Sequence, residues 1–81
     1  MKLPRNLSGA QLIKALEKLG YQPTRQAGSH VRLTSLLSKE HHLTIPLHDP
    51  LRIGTLAAIL VDVAIHHGMT REAIIIKLFG K

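Results

Sequence analysis

Two residues that can act on a phosphate group lie two positions apart, directly after a glycine turn. The stretch 26–33 reads Gln-Ala-Gly-Ser-His-Val-Arg-Leu, in which polar and apolar residues alternate from His30 onward. This alternation predicts a strand, because side chains alternate between the two faces of a strand. His30 and Arg32 should then share a solvent-facing side, opposite Val31 and Leu33. An imidazole changes protonation near neutral pH and a guanidinium is a permanent cation, so together they could handle a phosphate.

RNA cleavage is one reaction that such a surface could perform without a metal ion, because the substrate carries its own nucleophile, the 2′-hydroxyl. The protein must remove the hydroxyl proton, orient the attack and stabilise charge on the phosphate oxygens. His30 could act as the general base, and Arg32 could hold the phosphate bidentately. The alternative is that both are ordinary solvated strand residues.

Four further polar residues are candidates for binding the substrate. Arg25 lies on the neighbouring predicted strand and could contact the phosphate. His42 lies on the polar face of the third predicted strand, where it could form an acid–base pair with His30 or simply face solvent. Lys14 and Lys18 fall on an exposed helix face and are more suited to steering phosphates than to chemistry.

The composition favours an anionic partner in the cytoplasm. The 81 residues are enough for one domain, 1–81. The net charge of +6 and the pI near 10.4 favour nucleic acid first and an anionic membrane surface second. The chain has no cysteine, which excludes disulfides and thiol chemistry. We expect no signal peptide and no membrane span, since no apolar run reaches about 20 residues.

Six histidines raise the question of a metal site. The adjacent pairs His41-His42 and His66-His67 lack the i, i+4 spacing of a helical zinc site. Asp49 and Asp62 belong to no visible ligand array. We therefore expect neither a metal nor a cofactor, and we expect His66-His67 to complement a helix C-terminus.

The apolar pattern predicts a helix, three strands and two more helices. Ser8 and Gln11 have capping-box spacing, and Gly20 ends a first helix over 8–19. Strands are predicted over 21–26, 29–34 and 41–47, with a loop over 35–40. Pro23 makes the first strand an edge strand or an irregular one. Short links between the strands indicate an antiparallel meander with one covered face and one open face.

The second half of the chain is predicted to be helical. Thr55 should cap a helix that ends at His67-Gly68. The N-terminus of this helix at Gly54-Thr55 could alternatively bind an anion through its free N–H groups. Thr70 should cap a short last helix whose apolar residues serve the core or a homo-oligomer interface. His48, in the preceding loop, either fixes that loop through a backbone hydrogen bond or contacts RNA. The order defines a small α+β layer.

Several blocks of the sequence resemble the HicA (YcfA-like) toxins of bacterial toxin–antitoxin systems. The blocks are Arg25-Gln-Ala-Gly-Ser-His30, Thr44-Ile-Pro-Leu-His48 and Gly54-Thr-Leu-Ala-Ala-Ile-Leu60, together with Ser8-Gly9 and Gly20-Tyr21. They cover nearly the whole chain in the order and spacing of that family.

The resemblance implies a fold similar to the double-stranded RNA-binding domain (dsRBD), with the order α-β-β-β-α. It implies a ribonuclease that cleaves mRNA, in which the histidine of the Gly-Ser-His motif is catalytic; that residue is His30, and Ser29 beside it is a candidate for substrate binding. It also implies inhibition by a HicB-type antitoxin that covers the active face.

Two other function classes fit the same sequence. A non-catalytic RNA-binding module of this fold would read duplex shape through phosphate and 2′-hydroxyl contacts, and it would leave His30 without a role. A protein-interaction subunit would use its basic surface on an acidic partner and its apolar C-terminal helix for assembly.

Overall fold

The structure is a computed structural model that describes residues 3–37 and 39–80. The elements, in chain order, are α1 (Gly9–Leu16, continued by a 3-10 turn Glu17–Leu19), β1 (Gln22–Ala27), β2 (His30–Ser35), β3 (His41–Pro46), α2 (Ile53–His67) and α3 (Arg71–Phe79). The expected α+β class, the dsRBD-like α-β-β-β-α order and the short additional C-terminal helix are confirmed.

The three strands form one antiparallel sheet in the order β1-β2-β3. Pro23 was expected to mark an edge strand or an irregularity, and it marks both: β1 is an edge strand, and its pairing with β2 shifts between Pro23 and Arg25. Proline has no N–H for the ladder, so it is tolerated at this position.

The core lies on one side of the sheet, between the sheet and the helices. Along β2, Val31 and Leu33 are buried, whereas His30 and Arg32 are exposed. This is the alternation that the sequence predicted. The inner-face residues pack with the apolar faces of the helices; the buried hydrophobic residues are Leu12, Leu16, Leu19, Tyr21, Val31, Leu33, Leu43, Ile45, Leu51, Leu56, Leu60, Val63, Ala64, Ile74, Ile75 and Leu78.

Most of the predicted helix ends are confirmed. The side chain of Ser8 accepts a hydrogen bond from the Gln11 N–H, and the Gln11 side chain accepts one from the Ser8 N–H, which completes the capping box. Gly20 and Gly68 adopt the left-handed conformation, with φ of 82° and 64°. Thr70 accepts a hydrogen bond from the Ala73 N–H and caps α3.

The predicted start of α2 at Thr55 is wrong. The helix begins at Ile53, after Arg52, and no side chain caps it. The N–H of the buried residue Leu51 donates to the Leu7 carbonyl, which fixes the chain immediately before the helix. The Arg52 carbonyl then accepts from the Leu56 N–H, so Thr55 already lies inside the first helical turn and cannot be its cap.

The predicted loop over 35–40 begins one residue too early, because Ser35 is the last residue of β2 and pairs with His41. Ser35 is fully buried. Its hydroxyl donates to the Leu19 carbonyl and accepts from the Leu37 N–H. A buried hydroxyl with both bonds made carries little penalty, so serine continues the inward-facing pattern.

The last helix contributes mainly to the core. Ile74, Ile75 and Leu78 are buried, whereas Ile76 is 54 % exposed. Among the described residues no single helix has the length and hydropathy of a membrane span; α2 and α3 meet that criterion only as a pair, and their axes are bent by 103°.

Candidate nucleic-acid interface

The outer face of the sheet, here called the open face, carries the candidate residues in rows that cross the strands. The first row contains Ala27, His30 and Pro46, which are direct partners across the three strands. Direct partners have their side chains on the same face. His30 is exposed, and its ring has no hydrogen-bond partner among the described residues. It is therefore free to contact a ligand.

The second row places two arginines side by side. Arg25 is the partner of Arg32, and Thr44 completes the row on β3. Directly opposite side chains have Cβ atoms about 5 Å apart, so the two arginine side chains leave the sheet side by side. Within the described residues, the ion pairs are His41–Asp62 and His42–Glu40, so neither arginine has a carboxylate partner there. Two unpaired like charges at this spacing favour a bound anion.

The irregularity in β1 is what brings Arg25 to this face. Gln22 pairs with Thr34 and Pro23 with Leu33, so a regular ladder would put Thr24 opposite Arg32. The bulge inserts one residue, and Arg25 takes that place instead. Bulges commonly redirect a side chain in this way. Without it, Arg25 would point to the inner face.

The third row ties His42 into the sheet and keeps it away from His30. His42 pairs with Thr34, four residues along β2 from His30, which corresponds to about 13 Å. Its Nδ1 lies 2.9 Å from the Thr34 hydroxyl, and its Nε2 lies 2.7 Å from a Glu40 carboxylate oxygen. The structure therefore does not bring His42 and His30 together as an acid–base pair.

Of the two candidate lysines, Lys14 lies on α1, which packs against the inner face of the sheet, and Lys18 lies in the 3-10 turn that follows α1. Lys14 is exposed there. The Lys18 ammonium donates to the Leu78 carbonyl at 2.8 Å, at the C-terminal end of α3. A cation at a helix C-terminus is a stabilising contact. Neither lysine lies on the face that carries His30.

Backbone contacts hold the His30 end of the sheet. Gly28 has φ of 59°, and its carbonyl accepts from the Gln26 side chain, which shapes the turn before β2. The next residue, Ser29, is exposed, and its carbonyl accepts from the Leu47 N–H. The His48 carbonyl accepts from the Gly9 N–H at 2.9 Å, so the backbone of His48 fixes its loop.

Gly9 has a role that the sequence reasoning missed. It is buried at the start of α1, and a methyl group on it would overlap the carbonyl oxygen of Pro46, the β3 partner of His30. Only glycine allows the helix to approach the strand this closely. A glycine immediately after a strong N-cap was the available signal.

A second polar group, missed by sequence reasoning, lies on the inner side near the C-terminal end of α2. The Tyr21 cluster consists of Tyr21, His41, Asp62, His66 and His67. The Tyr21 hydroxyl lies 2.6 Å from His41 Nδ1 and 3.0 Å from His67 Nε2, and His41 Nε2 lies 3.3 Å from an Asp62 oxygen. The rings of His41 and His66 stack with centroids 4.1 Å apart. His41 of β3 and the adjacent pair His66-His67 of α2 thus meet beside one buried tyrosine.

The hydrogen bonds of the Tyr21 cluster form one consistent chain when its histidines are neutral. His41 donates from Nε2 to Asp62 and accepts at Nδ1 from the Tyr21 hydroxyl, which in turn accepts from His67 Nε2. Burial, and secondarily the Asp62 charge, raises the pKa of Tyr21 to about 12. Burial lowers the pKa of His67, and so do the neighbouring charges of His66 and His41. The cluster fastens α2 to β3.

No three His, Cys, Asp or Glu side chains in the described part of the chain are arranged to hold a metal ion. The histidines of the Tyr21 cluster are instead occupied by hydrogen bonds: His41 and His67 to the Tyr21 hydroxyl, and His66 to the Lys39 carbonyl.

The fold and the open face define a class: a small, basic α+β domain of dsRBD-like order whose uncovered sheet face presents a histidine beside two arginines. The family model of the HicA toxins of bacterial toxin–antitoxin systems matches residues 9–65. The chain belongs to the HicA toxin family, and is thus a toxin that has an antitoxin partner. No curated protein and no solved structure gives a significant match.

Proposed function

We propose that this toxin is a metal-independent endoribonuclease that cleaves mRNA in the cytoplasm, with His30 as its catalytic residue. The observation that carries the proposal is the juxtaposition of an exposed, unpartnered His30 with the Arg25–Arg32 pair on the open face. A base and two anion-binding groups in adjacent rows of one face are the parts that 2′-hydroxyl attack requires.

In the proposed reaction, His30 takes the proton of the 2′-hydroxyl while that oxygen attacks the adjacent phosphorus. The bond between phosphorus and the 5′-oxygen breaks, the leaving oxygen takes a proton from solvent water, and the products are a 2′,3′-cyclic phosphate and a free 5′-hydroxyl. Arg32 and Arg25 neutralise the charge that builds on the non-bridging phosphate oxygens. Ser29, at the entry to β2, is close enough in the chain to contact the same nucleotide, and His42 contacts RNA only at the far end of the sheet.

The HicB-type antitoxin would inhibit by covering the open face with acidic or hydrogen-bonding groups, because that face is where RNA would lie. Self-association through the C-terminal helix is a weaker proposal. Ile76 is the largely exposed apolar residue of α3. A single isoleucine is far below the roughly 800 Å² per partner that a stable interface buries.

The test is incubation of the purified chain with a long single-stranded RNA in EDTA, beside His30→Ala. Cleavage by the wild type alone is the expected result. His42→Ala is the matched control, because it removes another exposed histidine from the same face and should leave cleavage within a few-fold of wild type. Equal cleavage by wild type and His30→Ala would overturn the assignment.

The second candidate is a non-catalytic RNA-binding module. It is favoured by the distance of about 13 Å between His30 and His42, which leaves His30 without a histidine partner as general acid on the open face. Binding of RNA by the wild type with no cleavage, at the same affinity in His30→Ala, would establish it.

A further inference from the structure

A cleft on another part of the molecule has the shape and charge of a nucleotide site. It lies between the segment before α1, the loop after β3 and the starts of α2 and α3, and its volume is about 650 Å³. Ligand sites for small molecules typically measure about 300–1,000 Å³. We call it the arginine cleft; Leu3, Pro50, Leu51 and Ile53 form its apolar lining, and Arg5 and Arg71 its cationic part.

The two arginines reach the cleft from opposite ends of the sequence. Arg5 precedes α1, and Arg71 is the first residue of α3. Neither forms an ion pair with a carboxylate in the described part of the chain, where the pairs are those of His41 and His42. Glu72 adjoins Arg71 in sequence, but neighbours on a helix point in different directions. Two unpaired guanidinium groups beside one cavity favour an anion that accepts forked hydrogen bonds, such as a phosphate.

The apolar lining restricts which phosphate would bind. Ile53 is 50 % exposed and gives the cleft a hydrophobic surface, whereas Leu51, which is 5 % exposed, belongs to the core and fixes the segment before it. Inorganic phosphate would leave that surface in water, whereas a phosphate ester with a flat apolar group would cover it. A nucleotide has that composition, since its base is flat and its phosphate is anionic; arginine planes also stack on bases.

The cleft lies within reach of an RNA chain bound to the open face. Pro46, the partner of His30, is five residues before Leu51, and a chain of that length spans at most about 18 Å. The connecting segment is held by hydrogen bonds from Leu47 to Ser29, from Gly9 to His48 and from Leu51 to Leu7. The separation between the two sites is therefore short and fixed.

We propose that the arginine cleft binds a nucleotide. In the working toxin this nucleotide would belong to the RNA held on the open face, a few nucleotides from the scissile bond. Only this role in holding RNA rests on the proposed function; nucleotide binding by the cleft does not. The cleft would thus anchor the substrate, and the His30 surface would cut it.

The first experiment measures binding without cleavage. The His30→Ala protein is titrated with adenosine 5′-monophosphate, adenosine and inorganic phosphate, and backbone amide NMR shifts are followed over 51–54. We expect the monophosphate to bind at least about tenfold more tightly than phosphate or the nucleoside, with shifts in that segment. Equal binding of phosphate and monophosphate, shifts confined to the open face, or no binding would overturn the proposal.

Matched variants separate the cleft from net charge. Arg5→Gln/Arg71→Gln should weaken monophosphate binding at least about tenfold, whereas Lys39→Gln/Lys77→Gln removes the same charge away from the cleft lining and should not. All four residues are exposed, and a thermal melt of each variant verifies the fold. An equal loss in both double variants would overturn the site.

The second experiment links the cleft to cleavage in the protein that retains His30. Arg5→Gln/Arg71→Gln should raise KM for a long RNA with little change in kcat, and should leave cleavage of a dinucleotide unchanged, because a dinucleotide does not reach the cleft. An unchanged KM for long RNA would overturn the anchoring role. If the wild type cleaves no RNA, the proposed function fails, and the monophosphate titration still decides the cleft.

Discussion

His30 and His41 belong to neighbouring strands of one sheet but are in opposite situations. His30 is on the open face, exposed, and has no hydrogen-bond partner among the described residues. His41 is on the inner face, half-buried, and both its ring nitrogens are engaged, by Tyr21 and by Asp62. The same side chain therefore completes a polar network at one site and is left available at the other.

The contrast shows which histidine can take part in a reaction. A ring whose nitrogens are both bonded to fixed partners cannot accept a substrate proton without breaking one of those bonds. An unpartnered ring beside Arg25 and Arg32 is arranged for a ligand. The pKa of Tyr21 is raised and that of His67 is lowered, and both residues belong to the satisfied network. Structural networks perturb pKa values as readily as active sites do.

Replacing His30 should produce the largest effect. General acid–base catalysis contributes about 10²–10⁴ in rate, so His30→Ala should reduce the cleavage rate of RNA by about that factor. The free energy of unfolding should change by less than about 0.5 kcal/mol, because the side chain is exposed and makes no bond. Single-turnover cleavage and urea unfolding measure the two quantities. A large loss of stability would place His30 with His41 as a structural residue.

Replacing Tyr21 should have the opposite profile. Tyr21→Phe removes the hydroxyl that joins His41 to His67 and leaves both ring nitrogens without that partner. An unsatisfied buried polar group costs about 1–3 kcal/mol, so the free energy of unfolding should fall by that amount while single-turnover cleavage below the unfolding transition is retained. Thr44→Val, a hydroxyl deletion on the open face, is the control and should cost much less. Loss of cleavage in a folded Tyr21→Phe protein would contradict the separation of the two regions.

The features that sequence predicted are the ones governed by local rules. Ser8 and Gln11 cap α1 because their spacing is sufficient for the reciprocal bonds. Gly20 ends that helix because a left-handed residue is needed there. The exposure of His30 and Arg32 follows from a two-residue period and one covered face. Local rules of this kind are therefore sufficient to locate the candidate catalytic surface in the sequence.

The features that sequence reasoning missed depend on how distant segments of the chain meet. The pairing of Arg25 with Arg32 requires a bulge whose position the sequence did not fix, although Pro23 indicated an irregularity. The separation of His42 from His30 depends on the register of β2 and β3. The Tyr21 cluster assembles residues from three parts of the chain, and the start of α2 is set by the Leu51–Leu7 bond. Local patterns contain none of this information.

The arginine row should influence affinity more than chemistry. Arg32→Gln or Arg25→Gln, in the His30→Ala background, should weaken binding of single-stranded RNA. The slope of log affinity against log salt should become shallower by about 0.7 for each phosphate that the arginine neutralises in the wild type. Lys77→Gln, with the same change in net charge, should leave the slope nearly unchanged. Arg25→Gln should also slightly stabilise the fold, because it removes a like charge directly opposite Arg32. Fluorescence anisotropy at several salt concentrations measures the affinities, and equal slopes for all variants would show that the row binds no phosphate.

The smallest effect should be the pH dependence of the Tyr21 cluster. The pKa of His67 is lowered from its usual 6.5, first by burial and then by His66 and His41. Below pH 6.5 the His67 side chain of the unfolded chain therefore binds a proton, whereas that of the folded chain binds one only at lower pH. The free energy of unfolding should consequently fall as the pH decreases from 6.5, and it should be constant above that value. Urea unfolding at about pH 7.5, 6.5 and 5.5 avoids most carboxylate titration. His67→Gln keeps a side-chain N–H donor for the Tyr21 hydroxyl but removes the titrating group, so it should lose part of the dependence on pH. An equally steep dependence on pH in His67→Gln and in the wild type would contradict the assignment of this effect to His67.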